Sequence, residues 1–440
     1  MINNIYYLEA ASQNPVGCQY KQHILFVDDE PNLLHGLRRM LRPMRQNWNM
    51  HFVESGTDAL HVIDQQPCDV VVSDMRMPGM DGSQLLHKIR QSNPETIRFI
   101  LSGHSDQRLI LRSVGPTHQF LAKPCDATEL NTTLARACRL RHLLSDPTLL
   151  RLVTGIERLP SLPSLYHQVI DAIQEPAADL DTIAALLACD MGMTAKILQI
   201  VHSAFFGLQR QLSNPVQAVE VLGFDILQAI ILKAQVFTSA EVHAPYAEVL
   251  QALWLHSLAL ATCARELMAA EGGGAADLDE AYAAGLLHDV GTLVMIHHLP
   301  DLYDQSRQLI ATHKLSVCSA ERDVLGVTHA QVGAYLMGIW GLSDAIIDAL
   351  NYHHQPSACP IQTWSPLAAV HIAEALLHEL MPTIAKGAAP AFDTDYLHTL
   401  GLWDRLPIWR EHAQQALLQS LSATEGRQLS PFHDEVASHV

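Results

Sequence analysis

Three acids, a hydroxyl and an ammonium recur in this chain where short extended segments end. Asp28 and Asp29 close the run His23-Ile-Leu-Phe-Val27, and Asp74 closes Val70-Val-Val-Ser73. Ser102 follows Ile97–Leu101, while Lys123 follows the segment 118–121 and precedes Pro124. Short apolar runs bounded by turn residues read as strands buried on both faces, and open α/β sheets hold their ligands at the carboxyl ends of such strands. Gathering three acids is unfavourable unless a cation neutralises them. Mg2+ suits the task, because it takes oxygen ligands and keeps several waters. The whole set fits phosphoryl transfer to a carboxylate: the metal and Lys123 balance the incoming charge, Ser102 donates a hydrogen bond, and Asp74 is the nucleophile. Each residue also has a plainer role, as a helix cap (Asp28-Asp29), a loop residue (Ser102) or a surface charge (Lys123). Their joint placement at successive strand ends favours the chemistry.

A second set lies further along, among 25 histidines of which most must be ordinary surface or core side chains. His288-Asp289 interrupts the apolar run Ala283-Ala-Gly-Leu-Leu287 and Val290. An ionised Asp there is costly unless paired or metal-bound. His256 sits among Leu253, Leu255, Leu258 and Leu260; His329 opens one helix, His353-His354 ends another, and Glu374 lies in the apolar Val370-His-Ile-Ala-Glu-Ala375. Imidazoles and carboxylates on facing helices build metal sites inside bundles. The plainer reading is a hydrogen-bonded core pair, His288 to Asp289 or to a backbone carbonyl.

The elements that must position these groups follow from periodicity. Strands fit 23–27, 50–53, 69–73, 97–101 and 118–121, with amphipathic stretches near 56–66, 82–91 and 105–114 between them. Pro31 suits a first helical turn ahead of Leu33, Leu34, Leu37, Met40 and Leu41, and Asp126 with Glu129 makes a capping box for the last helix of this region. Strands alternating with helices imply a parallel sheet. Asp146-Pro147 and Leu159-Pro-Ser-Leu-Pro163 then break the pattern. From there to about 381 only helical periodicity remains, with helices at 191–204, 225–240, 246–270, 279–296, 301–313, 329–340, 343–353 and 366–381, one capped by Asp179 and one opened by Pro215. No fixed-period repeat is present, so this half reads as a bundle and not a solenoid.

Bulk properties narrow the classes. The chain has 440 residues, 48% hydrophobic and 17% charged, enough for two or three globular domains. A formal charge of −18 argues against a non-specific hold on nucleic acid or an anionic membrane. Eight scattered cysteines with no CxxC pair read as reduced thiols in a cytoplasmic protein. No apolar run reaches spanning length by this reading, and residues 1–20 lack the pattern of a signal peptide and read as a loose extension. The short helices at 179–207 offer only Lys196 as a basic residue, too little for the phosphate contacts of a DNA-binding motif.

Residues 21–144 resemble a two-component response-regulator receiver domain along their whole length. The resemblance is carried by Val27-Asp28-Asp29-Glu30, by Asp74 with Met77-Pro-Gly-Met-Asp-Gly82, by Ser102 and by Lys123-Pro124. It implies a flavodoxin-like, five-stranded parallel sheet, with Asp74 the phosphoacceptor fed by a sensor histidine kinase. It further implies that Asp29, Asp74 and the Arg76 carbonyl bind Mg2+ with Asp28 close by, and that Phe120 is the switch aromatic. On phosphorylation Ser102 and Lys123 would be drawn to the phosphate and Phe120 would turn inward. Receiver domains also resemble common dimerisation modules, so a homodimer is a candidate assembly.

Residues 155–380 resemble an HDOD domain, the HD-related output domain of bacterial signalling proteins. The carrying motifs are Leu159-Pro-Ser-Leu-Pro163, Asp190 with Lys196-Ile-Leu198, Ser203-Ala-Phe-Phe-Gly207, Ala218-Val-Glu-Val-Leu-Gly223, Trp254-Leu-His-Ser257, Gly285-Leu-Leu-His-Asp-Val-Gly291, His329 to Gly333, Trp340-Gly-Leu342 and His353-His354. Metal-dependent HD-type phosphohydrolases, including those that cut cyclic di-GMP, resemble the same ladder. By that likeness His256, His288, Asp289, His329, His353, His354 and Glu374 would hold one or two ions of Fe or Mn. Thr292 stands where those enzymes have a phosphate-binding lysine, Gln355-Pro-Ser-Ala358 replaces their Gly-Tyr-Pro segment, and Glu374 replaces an aspartate. The expected organisation is an extension (1–20), the receiver (21–144), a linker (145–158), an all-α HD-like bundle (159–381) and a helical C-terminal extension (382–440). The expected function is a phosphorylation relay in which the bundle acts on a downstream signalling protein, with a receiver-gated phosphohydrolase as its rival.

Overall fold

A computed structural model describes residues 21–103, 115–124, 126–175, 178–202, 212–233, 237–239, 246–380 and 391–425. The extension 1–20, the helix expected at 105–114 and the motif Ser203–Gly207 lie outside the described residues. The chain falls into two units: the first runs to Glu157 and also takes in His202 and Gly338–Gly341, and the second holds most of the chain from Arg158 onward.

In the first unit the apolar runs become β1 (Gln22–Val27), β2 (Trp48–Val53), β3 (Val70–Asp74), β4 (Ile97–Ser102) and β5 (Gln119–Ala122), alternating with α1 (Pro31–Met40), α2 (Gly56–Gln65), α3 (Gly82–Ser92) and α4 (Ala127–Leu140). Every pairing is parallel and the order is β2-β1-β3-β4-β5, the doubly wound arrangement whose ligand crevice lies between β1 and β3. Ile24 to Val27, Val70 to Val72 and Phe99 to Leu101 are buried, as strands covered by helices on both faces must be. Asp81 caps α3 through a capping box with Gln84. Gly82 has no substitute there, because a Cβ would come within 2.2 Å of the Asp74 carbonyl oxygen.

Residues 145–158, read as a linker, contain α5 (Pro147–Thr154), capped by the Asp146 side chain. The Thr154 carbonyl accepts from His118 Nε2 at 2.9 Å and from Arg98 Nη2 at 3.4 Å. Arg98 is fully buried in β4 and also donates to the Pro116 and Thr96 carbonyls at 2.7 and 2.8 Å. This segment is therefore bonded into the first unit.

The second unit is built from α6 (Pro163–Gln174), α7 (Leu180–Leu187), α8 (Met191–Val201), α9 (Pro215–Leu222), α10 (Phe224–Gln228), α11 (Ala247–Ala270), α12 (Ala275–Leu287), α13 (Val290–His298), α14 (Pro300–His313), α15 (Val317–Leu325), α16 (His329–Ile339), α17 (Asp344–Tyr352), α18 (Pro366–Leu380), α19 (Thr394–Leu400) and α20 (Leu406–Glu425). Three details differ from the periodicity reading. The stretch 225–240 ends as a helix at Lys233, and Thr238–Ser239 pairs in parallel with Pro160–Ser161 as a two-stranded ladder. The helix expected over 279–296 is two helices broken at His288-Asp289. The helix α15 falls where no helix was read. A fourth difference concerns membranes: α11, at 24 residues, is long and apolar enough to cross a bilayer. Here it packs on α12, α18 and α20, and its apolar faces form bundle core. Its apolarity reflects a helix surrounded by others, which periodicity alone cannot distinguish from a span.

Asp190 ties the start of this unit together. Its buried carboxylate accepts from the backbone N–H groups of Leu162 and Met193, each at 2.8 Å. Burial outweighs these bonds and pushes the carboxyl up to about 6. An acid raised in the fold costs stability as pH climbs from its unfolded value to its folded one, because the unfolded chain releases its proton first. Between about pH 4 and about pH 7 this group should cost wild type roughly 3 kcal/mol that an Asp190→Asn variant does not lose. Denaturant unfolding of both proteins at the two pH values checks this; a pH-independent difference between them contradicts it.

Candidate functional site

Strand register builds the first site. Val27 pairs with Ser73, so the next residues, Asp28 and Asp74, leave adjacent strands side by side. Lys123 follows β5, and its N–H donates to the Ser102 carbonyl at 2.9 Å. Its ammonium reaches back across the sheet end, 2.7 Å from Asp28 Oδ2 and in direct contact with Asp74 Oδ1. Asp28 and Asp74 are both buried. Asp74 Oδ2 accepts from the Arg76 N–H at 3.0 Å, and Asp28 Oδ1 accepts from the Glu30 N–H at 3.0 Å. Asp29 stands exposed at the same strand end. Burial, helped by the Asp28 charge, raises the Asp74 carboxyl above its ordinary value even though Lys123 and Arg76 pull it down. For Lys123 burial works the other way, but the bonds to Asp28 and Asp74 win and raise its pKa. Two buried carboxylates therefore share one ammonium, with Asp29 at the same strand end, a deficit of positive charge that a divalent cation fits. Ser102 is buried at the end of β4, its hydroxyl donating to the Gly103 carbonyl at 3.2 Å. Phe120 is buried in β5.

The second site lies within the bundle, where all seven expected residues meet. Gly291 sets its geometry: a Cβ there would fall 2.0 Å from the His329 carbonyl oxygen, so only glycine lets the start of α13 lie against the start of α16. His288 and His353 are fully buried, and each holds a backbone carbonyl three residues back through Nδ1: Gly285 and Leu350, both at 2.8 Å. His329 Nδ1 is held by Glu321 Oε2 at 2.8 Å, and the same carboxylate accepts the His329 N–H at 2.9 Å. Carbonyls and carboxylates only accept, so each Nδ1 carries the proton and each Nε2 is turned into the cluster.

There the Nε2 atoms converge. His329 Nε2 lies 3.1 Å from His354 Nε2, 3.4 Å from His353 Nε2 and 3.2 Å from Asp289 Oδ1. His288 Nε2 stands 3.4 Å from both Asp289 Oδ2 and Glu374 Oε2, yet it has no hydrogen-bond partner among the described residues. His256 Nε2 is 3.1 Å from Glu374 Oε2. Ligand atoms of His256, His288 and Glu374, and those of Asp289, His329 and His353, all lie within 4.8 Å of one another in each trio. Converging Nε2 atoms facing carboxylates need a positive charge between them, from protons or from a metal.

Protons on His288 and His329 can take that role. Burial would deprotonate His288 and His329, but Asp289 and Glu374 beside the first, and Glu321 and Asp289 beside the second, outweigh it and hold each at about 9. Burial would raise Asp289, yet His288 and His329 pull it far below the usual carboxylate range. His353 and His354, buried beside charged imidazoles, are driven down, His354 to about 3. The group that fits a metal is thus a set of oriented imidazoles and carboxylates, with second partners on Nδ1 of the kind that orient metal ligands.

Three residues of this cluster escaped the sequence reading. His378 lies one turn after Glu374, its Nε2 3.3 Å from Glu374 Oε1; the i,i+4 spacing was the available signal. Glu321 and Cys318 sit on α15. Its boundary signals were present in Ser316, whose side chain caps the helix, and in Gly326, which ends it at φ +77°. His371, by contrast, bonds the His353 carbonyl at 2.7 Å and accepts from the Asp393 N–H at 2.9 Å, a structural pairing.

Residues 24–135 match the family described as "Response regulator receiver domain", and residues 159–356 match the family described as "HDOD domain". An uncharacterized protein of Treponema pallidum (strain Nichols) is 26% identical over 215 residues, 48% of this chain and 40% of that protein. Transcriptional regulatory protein GlrR of Escherichia coli K12 is 38% identical over 112 residues, 24% of each chain. The solved signal receiver domain of an HD domain-containing protein from Pseudomonas fluorescens Pf-5 is 34% identical; the match covers 28% of this chain and 98% of that one, with a TM-score of 0.27. The chain spans less than half the length of these two curated relatives.

Proposed function

Because the chain belongs to the response regulators that place a receiver domain ahead of an HDOD domain, we propose that a histidine kinase phosphorylates Asp74 and that this event controls which protein the helical unit binds. The observation that carries the reading is the pairing of the buried Asp74 and Asp28 carboxylates with Lys123 at the end of β3. Asp28, Asp29, Asp74 and the Arg76 carbonyl would hold Mg2+, which offsets the charge of the incoming phosphoryl group. Asp74 attacks phosphorus and the imidazole of the donor leaves with the bonding pair. The product adds about −1.5 to −2 charges to the sheet end. Lys123, released from one carboxylate oxygen, turns to the phosphate, and the β4–β5 end of the sheet rearranges with it. Such charge changes act by biasing an element with two packed arrangements. The strongly acidic chain, with Lys196 the one Lys or Arg in 179–207, favours a protein as the downstream partner. Affinity capture with full-length protein, with and without an acyl-phosphate mimic, tests this. Partners should be retained in one state and lost in the other, and an Asp74→Asn bait should not respond. An identical set in both states contradicts the relay.

The converging histidines support a second reading, a receiver-gated phosphohydrolase acting on a cyclic dinucleotide or similar phosphodiester. His256, His288, Asp289, His329, His353, His354 and Glu374 would hold Fe or Mn. The bound metal would supply a hydroxide nucleophile and polarise a phosphoryl oxygen. A phosphate-binding cation is missing at Thr292. Hydrolysis of cyclic di-GMP by the iron- or manganese-loaded protein tests this reading; no turnover under those conditions leaves the relay alone.

A further inference from the structure

Cys318 is set apart from the other described cysteines. Cys68, Cys138, Cys189, Cys263 and Cys359 are buried, whereas Cys318 is only partly covered. It sits on α15 one turn before Glu321, the residue that orients His329. Its Sγ, a His329 ring nitrogen and a His354 ring nitrogen all lie within 4.8 Å of one another. This trio shares no residue with His256, His288 and Glu374, and shares His329 with the trio of Asp289, His329 and His353. Asp289 spans the gap, with Oδ2 3.4 Å from His288 Nε2 and Oδ1 3.2 Å from His329 Nε2.

We infer that Cys318, His329 and His354 form a separate, thiolate-containing cation compartment, with Asp289 joining it to the nitrogen and oxygen compartment of His256, His288 and Glu374. The two compartments select different ions. Carboxylate and imidazole accept manganese or iron, whereas a thiolate beside two imidazoles favours a softer ion and discriminates against manganese and magnesium. Zinc is the ion this set fits best: it binds sulfur and imidazole together and imposes no geometry of its own. Binding releases the Cys318 proton to solvent and turns the thiol into a ligand. The partial exposure of Cys318 and His354 provides the side from which an ion enters. The inference rests on the reading of the histidine cluster as a metal centre and adds a ligand and a metal preference to it.

Cobalt(II) titration of the metal-stripped full-length protein is the test. Wild type should develop visible ligand-field bands together with a near-ultraviolet thiolate-to-cobalt charge-transfer band. Cys318→Ser should lose the charge-transfer band and keep visible absorption from the other compartment. A second measurement needs no variant: zinc should slow alkylation of Cys318 by iodoacetamide at least tenfold, read by peptide mass spectrometry, while manganese should leave it unchanged. Ligand-field bands in wild type without the charge-transfer band, or alkylation indifferent to zinc, overturn the cysteine assignment and leave the histidine centre standing. No cobalt bands at all overturn both.

Discussion

An Asp74→Asn variant incorporates no phosphate from acetyl phosphate, while wild type is labelled in the presence of Mg2+. The expected loss is complete, because the reaction has a single nucleophile. An amide oxygen carries neither the charge nor the basicity to attack phosphorus, and no second carboxylate can take over. Asp28 is buried beside it, but one oxygen holds the Lys123 ammonium and the other the Glu30 N–H. Asp29 is at the strand end but exposed to water. Asn is also nearly isosteric and can keep the Arg76 N–H bond that Asp74 Oδ2 accepts at 3.0 Å. The variant should therefore fold, and its failure can be read as chemistry. Removing one negative charge also relieves the crowding of acids around Lys123, so the variant should be at least as stable as wild type to denaturant. Labelling of Asp74→Asn equal to wild type would remove Asp74 from the reaction.

The receiver site was legible in the sequence because strand ends are easy to find. A run such as Val70-Val-Val-Ser73 has one plausible structure, and the residue after it must sit at the sheet's edge. Parallel register then sets Asp28 beside Asp74 with no further information. Lys123 was legible for the same reason, one residue beyond β5. The bundle was harder. Periodicity found most helices, and burial of a charged pair singled out His288-Asp289. Neither could reveal α15, whose mixed stretch Cys318-Ser-Ala-Glu-Arg-Asp323 shows only a short apolar face. Consequently Glu321, which fixes the His329 ring, and Cys318 were missed. The break between α12 and α13 was hidden because apolar residues continue through it, and only the close approach of Gly291 to His329 gives a reason for it. Helix existence is a local property, whereas the meeting of α11, α12, α15, α16, α17 and α18 at one point is not.

That meeting point carries the second large prediction. Supplying manganese to the metal-stripped protein at about a thousand times its dissociation constant should stabilise the helical unit by about 4 kcal/mol, read as a rise in its thermal midpoint. His288→Ala should abolish the increment. The ring it removes is fully buried, with Nδ1 fixed on the Gly285 carbonyl and Nε2 facing two carboxylates without a hydrogen bond among the described residues. Without it, Asp289 and Glu374 lose a shared positive neighbour, and the metal-free variant should itself lose roughly 3–5 kcal/mol. His371→Ala separates the two effects. His371 is equally buried, but both its nitrogens are engaged with backbone groups, so its loss should weaken the fold and leave the metal increment intact. A divalent ion must also displace the protons held on His288 and His329, whose values stand near 9. Affinity should therefore rise with pH up to about 9 and level off above it, the sign expected when ligands must shed protons. Melting curves that superimpose with and without added metal would make the cluster a proton-bridged histidine core, stabilised by the charges on His288 and His329 and closed to metal chemistry.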